Sequence, residues 1–406
     1  MNRKHLAALG GSTPAGFGEE PSARRLVERF CLRDNLATWD PYDLWKTRLG
    51  AAVKDFYNHH PELGLGPAAI LTLYDMYVNN RRRWLYRRQE YPIVRAMAVL
   101  SLLNLHRASP HRKYLDSAKA HLDWLASHPC SGYNGAGWGL GFPYAVKPGV
   151  SYDDNTPLST ITPYCLEAFL QYGATVGDGA FGCLIPQILQ FFDKDIVVMQ
   201  ENDQWLATSY APWRDRIVIN AVSYTMYSLS LLLPHTPTHD KSRLEHKIGK
   251  LWRFVQAQQH GDGSWLYSPE GRPFVDCFHS CIVLKNIFKT NRNFPLRDSA
   301  AVIERGYAYL KNNFVHPELH LCRRFSKANK PGIIRFDLYD NAEMLNLAIL
   351  LGDGSLATRL LRSIDGHFRT GAEIYSVVDI FGRKWNKDML RWAVMPYLHA
   401  LSQIAL

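Results

Sequence analysis

Asp276 and His279 stand three residues apart at the start of one long apolar stretch, and Arg335, Tyr339 and Asn341 open another. His and Tyr give and take protons when their surroundings tune them, while Arg and Asn hold acid groups in place. Asn220 and Tyr224 are one helical turn apart, which puts both on one face of a helix. Arg391 lies near the start of the last apolar stretch. This set suits proton transfer beside a fixed anionic group. His279, Tyr339 and Asp276 take the proton-handling places; Asn220, Tyr224, Arg335, Arg391 and Asn341 surround the substrate. Tyr152, Tyr210, Trp138 and Trp265 lie in nearby loops and offer the flat, polar-tipped faces that stack on sugars.

Each residue also has a quieter role open to it. His279 can hydrogen-bond a neighbouring loop, and Asp276 and Asn220 can cap helices. Arg335 and Arg391 can pair internally with Asp337, Asp340 or Glu343. Tyr224 and Tyr339 can be core aromatics, and Trp265 a packing plug between repeats. Cys277 and Cys281 share a helical face from which His279 points away, so one metal ion does not collect all three. His59-His60 has no third ligand, and 61–66 reads as a turn. No metal and no cofactor is expected.

The elements that must position these residues recur along the chain. Long apolar stretches run from Tyr91 to Leu105, Leu158 to Tyr172, Ile217 to Leu233, Val275 to Phe288, Phe336 to Leu351 and Met389 to Leu401. Their starts are roughly 50 to 70 residues apart, the scale of a helix pair with its connections. More polar helical stretches alternate with them at 111–127, 181–200, 241–260 and 299–314. The pattern predicts an all-α (α/α)6 toroid over 41–406, after an N-terminal extension at 1–40. Loops rich in Gly, Pro and aromatics (Ser131 to Thr162, Ala207 to Asn220, Gly261 to Asp276, His320 to Arg335) precede inner helices. They gather at one mouth, where helix N-termini favour anions.

Composition agrees with a large core: 47% of the 406 residues are hydrophobic and 21% charged. The net charge of +10 points to an anionic partner. No nucleic-acid motif accompanies it, so nucleic acid is not expected. Arg81, Arg82, Arg83, Arg87 and Arg88, interleaved with Trp84, Leu85 and Tyr86, read as a solvated helix face or as a peripheral membrane contact. The seven cysteines follow no disulfide spacing, and Met1 to Gly18 has no signal-peptide core, so the expected location is cytoplasmic, with membrane association open. The glycines at 132, 135, 137, 139 and 141, interleaved with Tyr133, Trp138 and Phe142, fit neither a P-loop nor a dinucleotide fingerprint. They suggest a flexible aromatic loop over the cleft, with plain turns as the alternative.

Asp262-Gly263-Ser264-Trp265 followed by Val275-Asp276-Cys277-Phe278-His279-Ser280 resembles the repeat unit of bacterial capsule and exopolysaccharide biosynthesis proteins. That group is similar to glucuronyl C5-epimerase catalytic domains and toroidal polysaccharide lyases. Asp40-Pro41-Tyr42-Asp43, Thr156-Pro157 through Thr162-Pro163, Ser209-Tyr210-Ala211-Pro212 with Asn220-Ala221, and Met389-Leu390-Arg391-Trp392 with Met395-Pro396-Tyr397 extend the resemblance from about residue 40 onward. It implies a carbohydrate-active protein working on an anionic glycan or lipid-linked oligosaccharide. A uronate epimerase or lyase removes the proton next to a carboxylate, which requires that the acid be neutralised, a base on one face and an acid opposite or at the leaving group. For that chemistry the residues at the inner-helix starts offer His279 and Tyr339 for the proton transfers, and Arg335, Arg391 and Asn220 for the acid group. A glycoside hydrolase of the same fold would instead use Asp276 with Asp337 or Asp340. A non-catalytic glycan-binding subunit of an assembly complex would need only the aromatic cleft. Prenyltransferase β-subunits and triterpene cyclases share the ring plan, but neither their zinc spacing nor their aspartate-rich run is present.

Overall fold

From Pro92 to Leu105 every residue is buried, whereas the stretch that follows buries only one face (Tyr114, Ala118, His121, Leu122 and Leu125). A helix apolar on all sides needs neighbours all round, and one with a single apolar stripe needs them on one side only. Repeated along the chain, that contrast builds two concentric layers.

The computed structural model describes residues 20–177, 179–270, 273–328 and 332–404; the basic start of the sequence lies outside them. Helix α1 (Glu20–Cys31) is followed by α2 (Asp43–Lys46), α3 (Arg48–His59) and α4 (Pro61–Tyr74), which a π-helical turn extends through Asp75–Asn79. Inner and outer helices then alternate: α5 (Pro92–Ala108), α6 (Arg112–Ser127), α7 (Thr162–Val176), α8 (Leu184–Gln190), α9 (Ile219–Leu232), α10 (Thr238–Ala257), α11 (Cys277–Asn293), α12 (Ser299–Phe314), α13 (Leu338–Leu351), α14 (Gly354–Phe368) and α15 (Met395–Ile404).

The odd-numbered helices from α5 to α15 pack each on the next, and α15 returns to α5, so the ring closes. The fold is an (α/α)6 toroid. Asn104 of α5 donates to Ser402 of α15 (2.9 Å), and Asn286 of α11 to Ser223 of α9 (3.0 Å). Polar side chains thus link neighbouring inner helices. Helix α1 packs on both α15 and α5 and buries Leu26, Val27 and Phe30. It is the outer helix of the sixth hairpin, although it falls in the segment that the sequence reading places ahead of the ring. The last inner helix begins at Met395, not near 389, because Trp392 and Ala393 leave helical dihedrals. The segment 61–66, read as a turn, forms the first turns of α4, where Pro61 at the first helical position suits the start.

Short strands edge the end from which the inner helices start. They are β1 (Tyr144–Lys147), β2 (Val150–Tyr152), β3 (Val198–Glu201), β4 (Leu206–Thr208), β5 (Val275–Asp276), β6 (Phe325–Lys327), β7 (Ile334–Asp337), β8 (Arg369–Thr370), β9 (Glu373–Asp379) and β10 (Lys384–Lys387). All pair antiparallel: β1 with β2, β3 with β4, β5 with β6, and β9 with β7, β8 and β10. β5 runs straight into α11 and β7 into α13, which carries Asp276 and Asp337 to the mouth as N-caps.

The glycine-rich loop is packed. A Cβ on Gly135 would lie 2.0 Å from the backbone of Phe191, and one on Gly139 1.9 Å from the carbonyl of Thr156. These glycines permit close backbone approach, so the plain-turn reading holds over that of a flexible cover.

Candidate active site

The first turn of α11 sets the centre of the site. Asp276 accepts the backbone N–H of His279 (3.2 Å), as an N-cap does, and its other oxygen lies 2.6 Å from His279 Nδ1. The cap therefore orients the imidazole as well. A carboxylate at Nδ1 favours the tautomer protonated there and leaves Nε2 as the basic nitrogen. The His279 ring also packs 4.6 Å from Tyr267 and 3.8 Å from Phe278. Asp276, His279, Asn220, Trp265 and Tyr267 line one small cavity of ≈ 10 Å³, about the room of one water molecule. The buried Asn220 Oδ1 has no hydrogen-bond partner among the described residues.

The first turn of α13 supplies the other side. Asp337 accepts the backbone N–H of Tyr339 (2.9 Å) and the indole N–H of Trp392 (3.0 Å), and pairs with Arg324 (3.3 Å). Trp392 stacks on Tyr339 with ring centres 4.4 Å apart, and Phe278 meets Tyr339 edge-on at 5.0 Å. Phe278 thus touches both His279 and Tyr339. Burial pushes the Tyr339 hydroxyl well up, and the Glu343 carboxylate adds to that. It stays protonated and can act only as a proton donor until something takes that proton. Tyr224 faces the same region: its hydroxyl lies 2.5 Å from that of Tyr164 on α7.

A wall of tyrosines continues round the mouth. Tyr42, Tyr144, Tyr152 and Tyr210 follow one another at ring separations of 6.0, 6.2 and 5.8 Å. Arg216 lies 4.2 Å over the ring of Tyr210 and donates to the hydroxyls of Tyr152 (3.0 Å) and Tyr267 (2.9 Å). Its residue is only 8% exposed, yet it makes no ion pair with a carboxylate among the described residues. Asp215 reaches it only through Tyr152, whose hydroxyl donates to Asp215 (2.7 Å). A buried guanidinium bonded to neutral hydroxyls keeps a positive charge that no carboxylate among the described residues offsets directly. Tyr267 connects it to the imidazole.

Several expected residues lie elsewhere. Trp138 is fully buried with its indole N–H on the carbonyl of Leu125, and Trp265 donates to Val255 from a site 3% exposed. Both are packing plugs, although one edge of Trp265 reaches the His279 cavity. Asn341 has its amide committed to the backbone of Cys322 and Asp337. Arg335 is exposed on β7, 5.3 Å from the ring of Phe336. Arg391 is locked to Asp40 by two bonds of 2.5 and 2.6 Å, so its partner is none of the three carboxylates the sequence reading weighed. Arg216, Arg324, Tyr267 and Trp392 were not singled out. The first three lie in the mouth loops that sequence reading identifies, and Trp392 lies in the Met389–Trp392 motif.

No family model and no curated protein matches the chain. Among solved structures it is similar to cellobiose 2-epimerase from Bacillus thermoamylovorans (TM-score 0.59, 11% identity, covering 78% of this chain and 87% of that one). It is also similar to a polysaccharide lyase (TM-score 0.54, 10% identity, 95% and 97%) and to an alpha-mannanase from Bacteroides thetaiotaomicron (TM-score 0.56, 9% identity, 90% and 98%). What they share with this chain is the toroid. The chemistry at its mouth has to be argued from the residues there.

Three carboxylates at the starts of α11 and α13 are unlike one another. Asp276 is bound to His279. Asp337 is ringed by Tyr339, Trp392 and Arg324. Asp340 accepts the backbone N–H of Phe278 (3.0 Å), and its other oxygen has no partner among the described residues. Burial, with Asp337 nearby, pushes Asp340 well above the usual carboxylate range, and its bond to the Phe278 N–H ties α11 to α13.

Proposed function

We propose that the mouth of the toroid binds an anionic, uronic-acid-containing glycan and moves the proton next to its carboxylate, as an epimerase or a lyase does. One observation carries this: Tyr267 joins a buried, carboxylate-free guanidinium (Arg216) to a carboxylate-oriented imidazole (His279). An anion anchor and a base then stand on two sides of one ring.

The steps follow from those positions. Arg216 takes the substrate carboxylate, and its positive charge makes the adjacent C5–H bond easier to ionise. His279 Nε2 accepts the C5 proton, and Asp276 stabilises the imidazolium that results. In epimerisation the Tyr339 hydroxyl delivers a proton to the opposite face of C5. In elimination it protonates the departing C4 oxygen while the C4–O bond breaks and a C4–C5 double bond forms. Asn220 contacts the sugar from the cavity wall beside His279, and Tyr152 and Tyr210 supply stacking faces. Arg391 and Asn341 support the site from behind, through Asp40 and the 322–337 loop.

The hydrolase alternative asks for two accessible carboxylates across the cleft. Asp276, Asp337 and Asp340 are 4%, 1% and 1% exposed, and Asp276 and Asp337 are held by His279 and by Trp392 and Arg324, which favours proton abstraction. The fold hosts an epimerase and a polysaccharide lyase among the similar structures. A role in surface-polysaccharide biosynthesis rests on the motif resemblance at 262–280. The test is binding and turnover across matched oligosaccharides. Uronate-containing chains should bind and react, and their neutral carboxyl-reduced counterparts should not; equal handling of both would reject the anion anchor.

A further inference from the structure

Helix α4 buries a single residue, Gly64, where a Cβ would lie 2.5 Å from the backbone of Tyr57 on α3. Ala68 and Leu71 on the same face are half-buried and the other residues of α4 are exposed, yet Glu62 is its only charged residue. Ten of the thirteen large hydrophobic side chains exposed among the described residues lie between Leu49 and Leu85. Leu63 is 71% exposed, Ile70 67% and Leu85 94%. An ordinary surface scatters such residues singly; here seven lie on the hairpin of α3 and α4, and Val78, Trp84 and Leu85 follow directly after it.

The chain then turns basic. Arg81, Arg82, Arg87 and Arg88 are exposed around Trp84 and Leu85, and Arg82 lies 4.7 Å over the Trp84 ring. This run is a loop and not a helix face. Arg83 differs from the others: it is buried and donates to Asn386 (2.8 Å), fastening the loop to β10. A groove of ≈ 840 Å³ opens beside it, with seven basic and two acidic side chains in its lining, Arg33, Arg81, Arg88 and Lys384 among them.

We propose that the α3–α4 hairpin and the loop 81–88 dock the protein on an anionic lipid bilayer. α4 is too short to span one, since about 20 residues are needed, and no described helix is long and apolar enough to cross. Its exposed apolar side chains fit insertion at the level of the headgroups, with arginines and a tryptophan at the boundary. A second copy of this chain fits less well: a two-fold contact would press the same arginine loop against itself. A protein groove would ask for one apolar stripe, and α4 is apolar on every side. The hairpin packs on β1, whose Tyr144 stacks with Tyr152 in the cleft wall. Docking therefore sets the mouth beside the bilayer, where a lipid-linked glycan is presented. That last consequence rests on the proposed carbohydrate function; the docking itself does not.

The test is co-sedimentation of the full chain with phosphatidylcholine vesicles, with and without phosphatidylglycerol. The wild type should bind the anionic vesicles, release with added salt and ignore the neutral ones. Each arginine near an anionic surface contributes about fivefold in affinity, so R81E/R82E should weaken binding about 25-fold or more. L65N/I70N should weaken it with an unchanged melting temperature, since both side chains already face solvent. Light scattering without lipid should give a monomer. Absence of binding to anionic vesicles, or binding untouched by both double variants, overturns the proposal. A dimer that the same substitutions dissociate overturns it too, because a second copy would then cover this face.

Discussion

His279 Nδ1 lies 2.6 Å from the carboxylate of Asp276, which also caps the helix that carries both residues. One side chain thus does a folding task and a chemical one, and the two can be separated. Asn caps as well as Asp but cannot stabilise an imidazolium. Asp276→Asn should leave the melting temperature within a few degrees and lower turnover of a uronate substrate about 10²- to 10⁴-fold. His279→Ala and Tyr339→Phe should abolish turnover with the fold intact by circular dichroism. Full activity in both would move the site elsewhere.

Arg216 separates binding from chemistry. Arg216→Lys keeps the charge but loses the fork that reaches both Tyr152 and Tyr267. KM for a uronate oligosaccharide should rise at least tenfold, about 1.4 kcal/mol, while the neutral carboxyl-reduced counterpart stays unbound by both proteins. Calorimetric titration with the two ligands gives the comparison directly.

Asp340 should shape the pH dependence of stability. Its proton is held in the folded state by burial and by Asp337 beside it. Between the ordinary carboxylate range and the raised folded value, the unfolded chain has released that proton and the folded one has not, so stability falls as pH rises. Each tenfold difference in proton affinity between the folded and unfolded chain is worth about 1.4 kcal/mol. Asp340→Asn keeps an acceptor for the Phe278 N–H and removes the titration. Its denaturation midpoint should gain on the wild type as pH rises from 5 to 8. A parallel course for the two proteins would show that Asp340 is ionised in the fold.

Arg391 and Asp40 join the last inner helix region to the start of the ring across 351 residues of chain. Burial works against the Asp40 charge, but the guanidinium outweighs it and holds the carboxyl below its usual range. The contribution is present above the ordinary carboxylate range and is lost as pH falls through the lowered folded value. Asp40→Ala strands a buried cation and should cost about 3–5 kcal/mol in chemical denaturation. Adding Arg391→Met should recover part of that loss.

The ring was legible because inner helices must be apolar on several faces and outer ones on a single face, and this contrast survives in sequence. The stretches at 217–233 and 336–351 met α9 and α13 closely for that reason. The mouth loops were legible as loops, and at the helix starts that follow them Asp276 bonds to His279 while Phe278 touches both His279 and Tyr339. Arg216 escaped notice because nothing local separates it from Arg214, which lies on the outer side, bonded to the backbone of Val198 and Met199. Trp138 and Asn341 were misjudged because residue type shows what a side chain can bond, and only the fold shows what it already bonds. Arg391 found its partner at Asp40, a pairing that no spacing rule reaches. The α3–α4 hairpin escaped notice because Pro61 and the glycines at 64 and 66 suggest a turn, where they open a helix instead.

Proton abstraction at C5 is the central claim, and the direct measurement is proton NMR of uronic-acid oligosaccharides incubated with the protein in heavy water. Deuterium should appear at C5 with an inverted sugar, or an unsaturated sugar should form, and His279→Ala should show neither. A rise in reducing ends with no deuterium at C5 and no unsaturated product would contradict proton abstraction and return Asp276 and Asp337 to the role of hydrolytic carboxylates.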